Sequence, residues 1–322
     1  MKRFPLFLTA AMLMVSFGCD KTKSPTQPEK SAIAENEAEL TDAAAKASRA
    51  VIRVPDDYAT IQAAVDAANA GDKIVVKASG SPYNEVVFAT KPDIEIAAKG
   101  SVTLNGNFGV GANNVKISHF NINVLVPPGP GLDGGISVGA VSGVKISRNT
   151  ITGNSRGIFL NGSTGCLVEK NTCSGLPFDF DAIVLYYGAN DNTITRNAFT
   201  GNGGGINLAF SHNNVVSGND CSANQSRGID IGGSNSNKIK NNICNRNGSS
   251  GIAVNSGSNN IFGPGNTANF NQLYGIILFN DASNNTVKKN DSHCNSFGDI
   301  LDFGTGNTFI KNSTGPLPGG CP

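Results

Sequence analysis

Tryptophan is absent from this chain of 322 residues, methionine and histidine occur three times each, and 25 Lys and Arg are matched by 24 Asp and Glu. A net charge of +1 gives no electrostatic case for nucleic acid or an acidic membrane surface as a partner. Met1, Met12 and Met14 all lie at the N-terminus, while His119, His212 and His293 are too widely spaced to meet in one site. A copper site is therefore disfavoured, and each histidine is expected to be an exposed turn residue. The seven cysteines show no Cys-x-x-Cys or His-Cys spacing, so neither a metal nor another cofactor is expected. The one long apolar run, Phe4 to Phe17, is too short to span a bilayer.

What the chain has instead is a repeat. Asparagine falls at positions 149, 171, 197, 219, 242, 266, 290 and 312, in steps of 22 to 26 residues. Isoleucine keeps pace at 136, 158, 183, 206, 229, 252, 276 and 300, in steps of 22 to 25. Two columns in step over eight turns define a repeat architecture. Apolar residues alternate within each turn, as in Ile206/Leu208 and Ile229/Ile231, and Gly or Asn interrupts after a few residues, which is strand periodicity. A second apolar point lies three residues before the central Asn (Ile146, Val168, Ile194, Val216, Ile239, Val287, Phe309). A third lies two after it (Ile151, Cys173, Phe199, Cys221, Cys244, Ala268). Three inward points per turn predict an all-β, right-handed parallel β-helix, a three-sided solenoid.

Asparagine suits the corners because it tolerates left-handed backbone and its amide can bond the same amide one rung away, about 4.8 Å on. Flanking columns stand before the central one (Asn192, Asn214, Asn237, Asn285, Asn307) and after it (Asn154, Asn202, Asn224, Asn247, Asn271, Asn295). In the coil before Asn149, Phe120 takes the asparagine's place. Leucine-rich repeats have a similar period but need more leucines and a helical return segment, which are missing.

The segments around the repeat read as follows. Residues 1–19 form an export signal: a basic start, the apolar run, then Ser16-Phe17-Gly18-Cys19, which resembles a bacterial lipobox with Cys19 as the lipidated residue. Secretion without lipid is the alternative, because the leucine usual three residues before the cysteine is Ser16. Residues 20–50, rich in Lys, Glu, Pro and Ala, read as a flexible tether with local helical character from about Ile33 to Lys46. The coil occupies 51–315, and the Pro/Gly-rich tail 316–322 cannot continue it. Within the coil, Val124 to Gly135 and Gly175 to Ala182 enlarge the repeat and are expected to protrude. Ile61, Val65 and Ala68 sit at helical spacing, with Asp57 as N-cap and Gly71 as C-cap, predicting a short helix that covers the first rung.

The order Tyr58, Ile61-Gln62, Ala64, Ala67-Ala68, Gly71-Asp72-Lys73-Ile74-Val75-Val76 and Tyr83-Asn84-Glu85 resembles the start of the pectin-lyase-like right-handed β-helix family. The later coils resemble its periplasmic and carbohydrate-associated repeats, including those of accessory proteins for copper-enzyme maturation. The resemblance covers about Val51 to Gly315. It implies the fold and not one activity, because lyases, hydrolases, epimerases, adhesins and non-enzymes share this scaffold.

Among the cysteines, Cys173, Cys221 and Cys244 fall in one inward column and read as buried thiols, although adjacent rungs are also compatible with a Cys221–Cys244 disulfide. Cys294 and Cys321 either pair or stay free.

With the interior packed, chemistry must lie on outward positions. Between the paired apolar residues stand Phe159, Val184, Asn207, Asp230, Ala253 and Ile277. Two residues before the isoleucine stand Arg156, Asp181, Gly204, Arg227, Ser250 and Tyr274. Asp181, Arg227 and Asp230 are the candidate catalytic residues, and Tyr186, Asn207 and Phe210 the candidate substrate-binding residues. Aromatic rings beside Asp, Asn and Arg on a long shallow face suit an extended polysaccharide. Inverting hydrolysis needs two carboxyls about 6.5–9.5 Å apart. Asp181 and Asp230, two rungs apart, lie roughly 9.6 Å apart along the axis. The motif set of the β-helical polygalacturonases and the aspartate cluster of pectate lyases are missing. The expected function is therefore polysaccharide binding by an exported, lipid-anchored protein, periplasmic or at the cell surface. The alternatives are a polysaccharide lyase or hydrolase of the superfamily, and a non-catalytic scaffold or periplasmic accessory protein. The sequence leaves enzyme and binding module both open.

The lipid assignment has a direct check. The full chain should partition into the detergent phase, and Cys19→Ser should move it to the aqueous phase. Equal partition of both forms would leave secretion alone.

Overall fold

A computed structural model describes residues 49–124, 132–317 and 319–321. The export signal with Cys19, nearly all of the tether and most of the loop after Val124 lie outside the described residues.

The strands from Val51 to Gly315 pair in parallel and coil into three faces. One face runs from Val51–Val54 to Thr308–Ile310, and a second from Val86–Ala89 to Gly298–Asp302. The third is built of short pieces: Thr150–Gly153, Thr172–Ser174 and Ala198–Thr200, then single bridges through Asp220, Ile243 and Thr267 to Asp291–His293 and Ser313–Gly315. The register follows the isoleucine column: Ile136, Ile158, Ile183, Ile206, Ile229, Ile252, Ile276 and Ile300 are successive partners on the second face. Except for the part-buried Ile300 at the end of the coil, their side chains stack with Leu208, Val216, Phe199 and Cys221 in an interior closed to solvent.

The corners are held by amide ladders. Asn197 donates its backbone N–H and its Nδ2 to Asn219 Oδ1, at 3.0 and 2.9 Å. Asn219 repeats both bonds to Asn242 Oδ1, each at 3.0 Å, and its Nδ2 also reaches the Ile194 carbonyl at 2.9 Å. Backbone polar groups that a turn would leave orphaned inside the coil are thereby satisfied. The column opens where the Phe120 N–H donates to Asn149 Oδ1. The column before it includes Asn260, which sequence phasing missed, between Asn237 and Asn285. In the column after it, Leu176 rather than an asparagine leads into Asn202, and Asn154 is exposed. Among buried side-chain polar atoms, Asn214 Nδ2 finds no partner.

The capping helix, α1 (Ile61–Ala67), is present with different caps. Thr60 Oγ1 accepts the Ala63 N–H, and the Glu85 carboxylate accepts those of Ile61 and Gln62, both at 2.9 Å. Asp57 instead accepts the Arg53 N–H at 2.7 Å in the preceding turn. The helix ends at Ala68, before Gly71, because Asp72 ties down the turn by accepting the Asn69 and Ala50 N–H groups. Ile61, Ala64 and Val65 are buried on the first rung.

Cys173, Cys221 and Cys244 are buried free thiols, as is Cys166, which the repeat phasing did not place. Burial pushes Cys173 and Cys221 far above the ordinary thiol range. Cys294 and Cys321 form a disulfide that ties the tail to the coil. His119 is exposed and His212 half-buried, but His293 is buried, bonded to the Gly315 carbonyl and close to Ser313 and Asp291. Gly315 and Ser313 are on the next rung, where Ser313–Gly315 pair with Asp291–His293.

Removing ladder and core groups should be costly in different ways. Leu208→Ala should lower unfolding free energy by about 2–5 kcal/mol through a cavity between rungs. Asn219→Ala should lower it by about 1–3 kcal/mol by orphaning buried amides on both neighbouring rungs. Asn154→Ala, outside the ladder, should change it by less than about 0.5 kcal/mol. Chemical denaturation of the three variants checks the order.

Candidate functional site

The outer surface of the second face carries one register column through Phe88, Gly109, Ser137, Phe159, Val184, Asn207 and Asp230. Outward positions were expected to be open. Phe159, Val184, Ala253 and Ile277 are instead nearly covered, while Asn207 and Asp230 stay part-exposed. At Phe159 the cover is Arg156, whose guanidinium lies 5.7 Å from the ring centre, and Tyr186, 5.9 Å away ring to ring.

Two hollows follow this column. One, of about 230 Å³, lies between Phe88, Gly109, Leu132 and Ser137. The other, of about 320 Å³, is lined by Asp133, Arg156, Phe159, Asp181, Tyr186 and Asn207, with Val184 and Ala209 beneath. The Asp133 N–H, at the second hollow, donates to Ser137 Oγ, at the first, so the two are neighbours along the axis, and the second, larger one is a trough. A larger hollow, about 460 Å³ between Ile300, Asp302, Phe309 and Lys311, is the end of the coil and not a groove along a face.

Asp181 lies at the trough floor. Its register partner is Gly204, where an added Cβ would collide with Asp181 Oδ1, so the glycine makes room for the carboxylate. Asn207 Nδ2 donates to Asp181 Oδ2 at 3.1 Å. Burial pushes the Asp181 carboxyl above the ordinary carboxylate range, the charge of Asp230 adds to this, and the Asn207 bond and Arg156 oppose it.

The structure therefore gathers Asp181, Asn207 and Tyr186 in the lining of one trough, while Asp230, the register partner of Asn207 on the next rung, and Arg227 stand outside that lining. Arg227 Nη1 contacts both Asp230 oxygens, at 2.9 and 2.8 Å, and Asn255 bonds each partner. Arg227 also lies over Phe279. Phe210 is outside the trough, at the end of a chain of rings running Phe159, Tyr186, Tyr187, Phe210 with centres 5.9, 4.5 and 5.0 Å apart. Tyr187 and Phe210 adopt φ of +37° and +51°, a backbone region that bulky residues rarely occupy, and both turn their rings to solvent. Arg156, Asp133 and Gly204 were not singled out from sequence. Arg156 stood in the same outward column as Asp181, but nothing local distinguished it from Arg227. No three His, Cys, Asp or Glu side chains come together as a metal cluster would need, among the described residues.

A family model described as right handed beta helix region matches residues 134–292. That match spans just under half of the chain and agrees with the observed coil, a right-handed parallel β-helix. Solved structures of similar fold include a mutant of the periplasmic alginate epimerase AlgG, at 14% identity over 75% of this chain and 77% of that one, TM-score 0.53. The A-module of the Azotobacter vinelandii mannuronan C-5 epimerase AlgE4 is 15% identical over 81% of this chain and 94% of its own, TM-score 0.51. ORF18 of Geobacillus virus E2 is 14% identical over 90% and 66%, TM-score 0.60. At these identities the likeness is one of fold. A search of curated proteins finds no match.

The part-buried Asp181 carboxyl sets a pH dependence. Because its folded-state pKa is raised, the folded chain holds the Asp181 proton longer than the unfolded chain. The stability this group contributes is full below the unfolded value, near pH 4, and is lost as pH rises through the folded value. Asp181→Asn removes that loss. The melting temperature of the variant, relative to the native chain, should rise from acidic to neutral pH. A difference independent of pH would contradict the buried geometry.

Proposed function

We propose that the trough on the second face holds an extended polysaccharide along the solenoid axis, and that Asp181 performs acid–base chemistry on it as in a polysaccharide lyase or hydrolase. The observation that carries this reading is a carboxyl with raised pKa on the floor of an open groove, in space made by Gly204, among Asn207, Arg156 and aromatic walls. A carboxyl tuned upward is suited to proton transfer near neutral pH. Arg156 is the cation placed to offset a sugar carboxylate, since it makes no ion pair among the described residues whereas Arg227 is tied to Asp230. Tyr186 offers ring and hydroxyl to the sugar. Two of the similar folds are those of an alginate epimerase and a mannuronan C-5 epimerase, which makes a polyuronate the first substrate class to test.

One observation favours a second reading, a binding module without turnover. Asp230 is consumed by Arg227 and Asn255, so the two-carboxylate geometry of a hydrolase is incomplete at that position. In either reading the protein is exported, and Cys19 supplies a lipid that holds the coil at a membrane through residues 20–50.

Polyuronates and neutral glycans incubated with the full chain separate these readings, followed by retention, unsaturated-product absorbance and reducing ends. Turnover is expected, with Asp181→Asn lowering kcat on the order of a hundredfold. Tyr186→Ala should mainly raise KM. Retention without turnover would support the binding module. No interaction with any glycan would contradict both and leave a scaffold.

A further inference from the structure

The near-zero net charge conceals a segregated surface. At the corner between the first and third faces, the residue immediately before the asparagine column is His119, Arg148, Lys170 and Arg196 on four consecutive rungs, then Gly218 and Asn241. The register is carried by backbone bonds, with the Arg148 N–H donating to the Glu169 carbonyl, Lys170 to Thr195 and Arg196 to Ser217.

Each of the four basic positions is left-handed, with φ of +68°, +56°, +57° and +56°. Glycine or asparagine reaches this conformation more easily, and the next rungs use them. Long cationic side chains gain nothing in backbone energy there, and stacking like charges about one rung spacing, 4.8 Å, apart is repulsive. All four side chains are exposed, and none forms an ion pair among the described residues. Across the ladder on the same rungs stand Asn121, Thr150, Thr172 and Ala198, so no carboxylate compensates from that side. The nearest acid, Glu169, is bound to Lys145 at 2.7 Å. Its carboxyl is held below the usual range by that Lys145 bond first, with Lys170 and Arg148 adding to it, so their field is felt along the face.

Two local penalties repeated on consecutive rungs point to a ligand that offsets them. We propose that this corner is a binding site for a linear polyanion: an acidic polysaccharide bearing one carboxylate or sulfate per sugar, laid parallel to the solenoid axis. The shape selects that ligand class. The row is straight and one residue wide, and Arg148, Lys170 and Arg196 place one charge on each of three consecutive rungs, which matches a chain with regularly spaced anionic groups. A membrane surface asks for a two-dimensional patch, and the phosphates of a nucleic-acid duplex wind away from a straight row. The corner faces away from the Asp181 trough and does not rest on its assignment.

The test is binding of the full chain to immobilised polygalacturonate across a salt series, in an Asp181→Asn background that removes turnover. That protein should be retained at low ionic strength and released by salt. Adding Arg148→Asn, Lys170→Asn and Arg196→Asn, the residue that Asn241 already places at this corner, should weaken binding on the order of a hundredfold. Its melting temperature should be unchanged or raised, which separates lost binding from misfolding. Lys238→Asn in the same background, which removes an exposed cation of the first face outside this column, should leave the salt-sensitive binding intact, so that the loss belongs to the corner and not to charge in general. Absence of retention at low salt, or unchanged binding by the triple variant, would overturn the proposal. Equal retention by anionic vesicles or duplex DNA would do so as well.

Discussion

The bond from one buried corner asparagine to the next is the interaction on which the rest of the molecule depends. A parallel coil turns sharply several times per rung, and each turn carries backbone groups that cannot be left unpaired beside an apolar interior. Here one Oδ1 accepts both N–H groups of the asparagine a rung earlier, while Nδ2 also reaches a carbonyl of an earlier rung. Chain path and polar satisfaction are thus decided together, and the interior is free to be Ile, Val, Leu, Phe and small thiols. The same constraint explains the tolerance of unequal rung lengths. Extra residues between Asn171 and Asn197 bulge at Gly175 to Ala182 without breaking the ladder, because Asn171 still donates to Asn197.

Much of this was legible in the sequence, for a physical reason. A repeat writes the same environment many times, so the phase of Asn against Ile reports register directly, and every isoleucine of that column pairs with the next. What failed is local variation that phase does not report. Asn260 was missed because Gly263 to Gly265 displace the following asparagine by a residue. Asn154 was in phase but exposed, because the next position of its column is Leu176, which has no amide to pair with it; the bonds of that column start with the Leu176 N–H donating to Asn202 Oδ1. The helix cap moved from Asp57 to Thr60 because Glu85, distant in sequence, supplies the remaining acceptors.

The candidate site was legible only as columns. Phase brought Asp181, Asn207 and Tyr186 to one face, and the structure sets them in one trough. Side-chain pairing was hidden: Asn255 lies one turn beyond Asp230, and nothing in the string marks it as the residue that closes Arg227 onto that carboxylate. Gly204 looked empty in a list of outward residues and is the reason the Asp181 carboxyl fits. Net charge likewise averaged away the basic corner, since acids elsewhere along the coil balance it in the total.

Interior and exterior therefore divide the work: ladders and stacked isoleucines set one scaffold, and outward residues on different faces are free to differ rung by rung. Backbone amide hydrogen exchange tests the ladder most directly. The N–H groups of Asn197, Asn219 and Asn242 lie at chain turns, where amides ordinarily exchange fast. They should exchange as slowly as the N–H of Ile206 within a strand of the second face. Exchange as fast as at the exposed turn residue Asn259 would contradict the account.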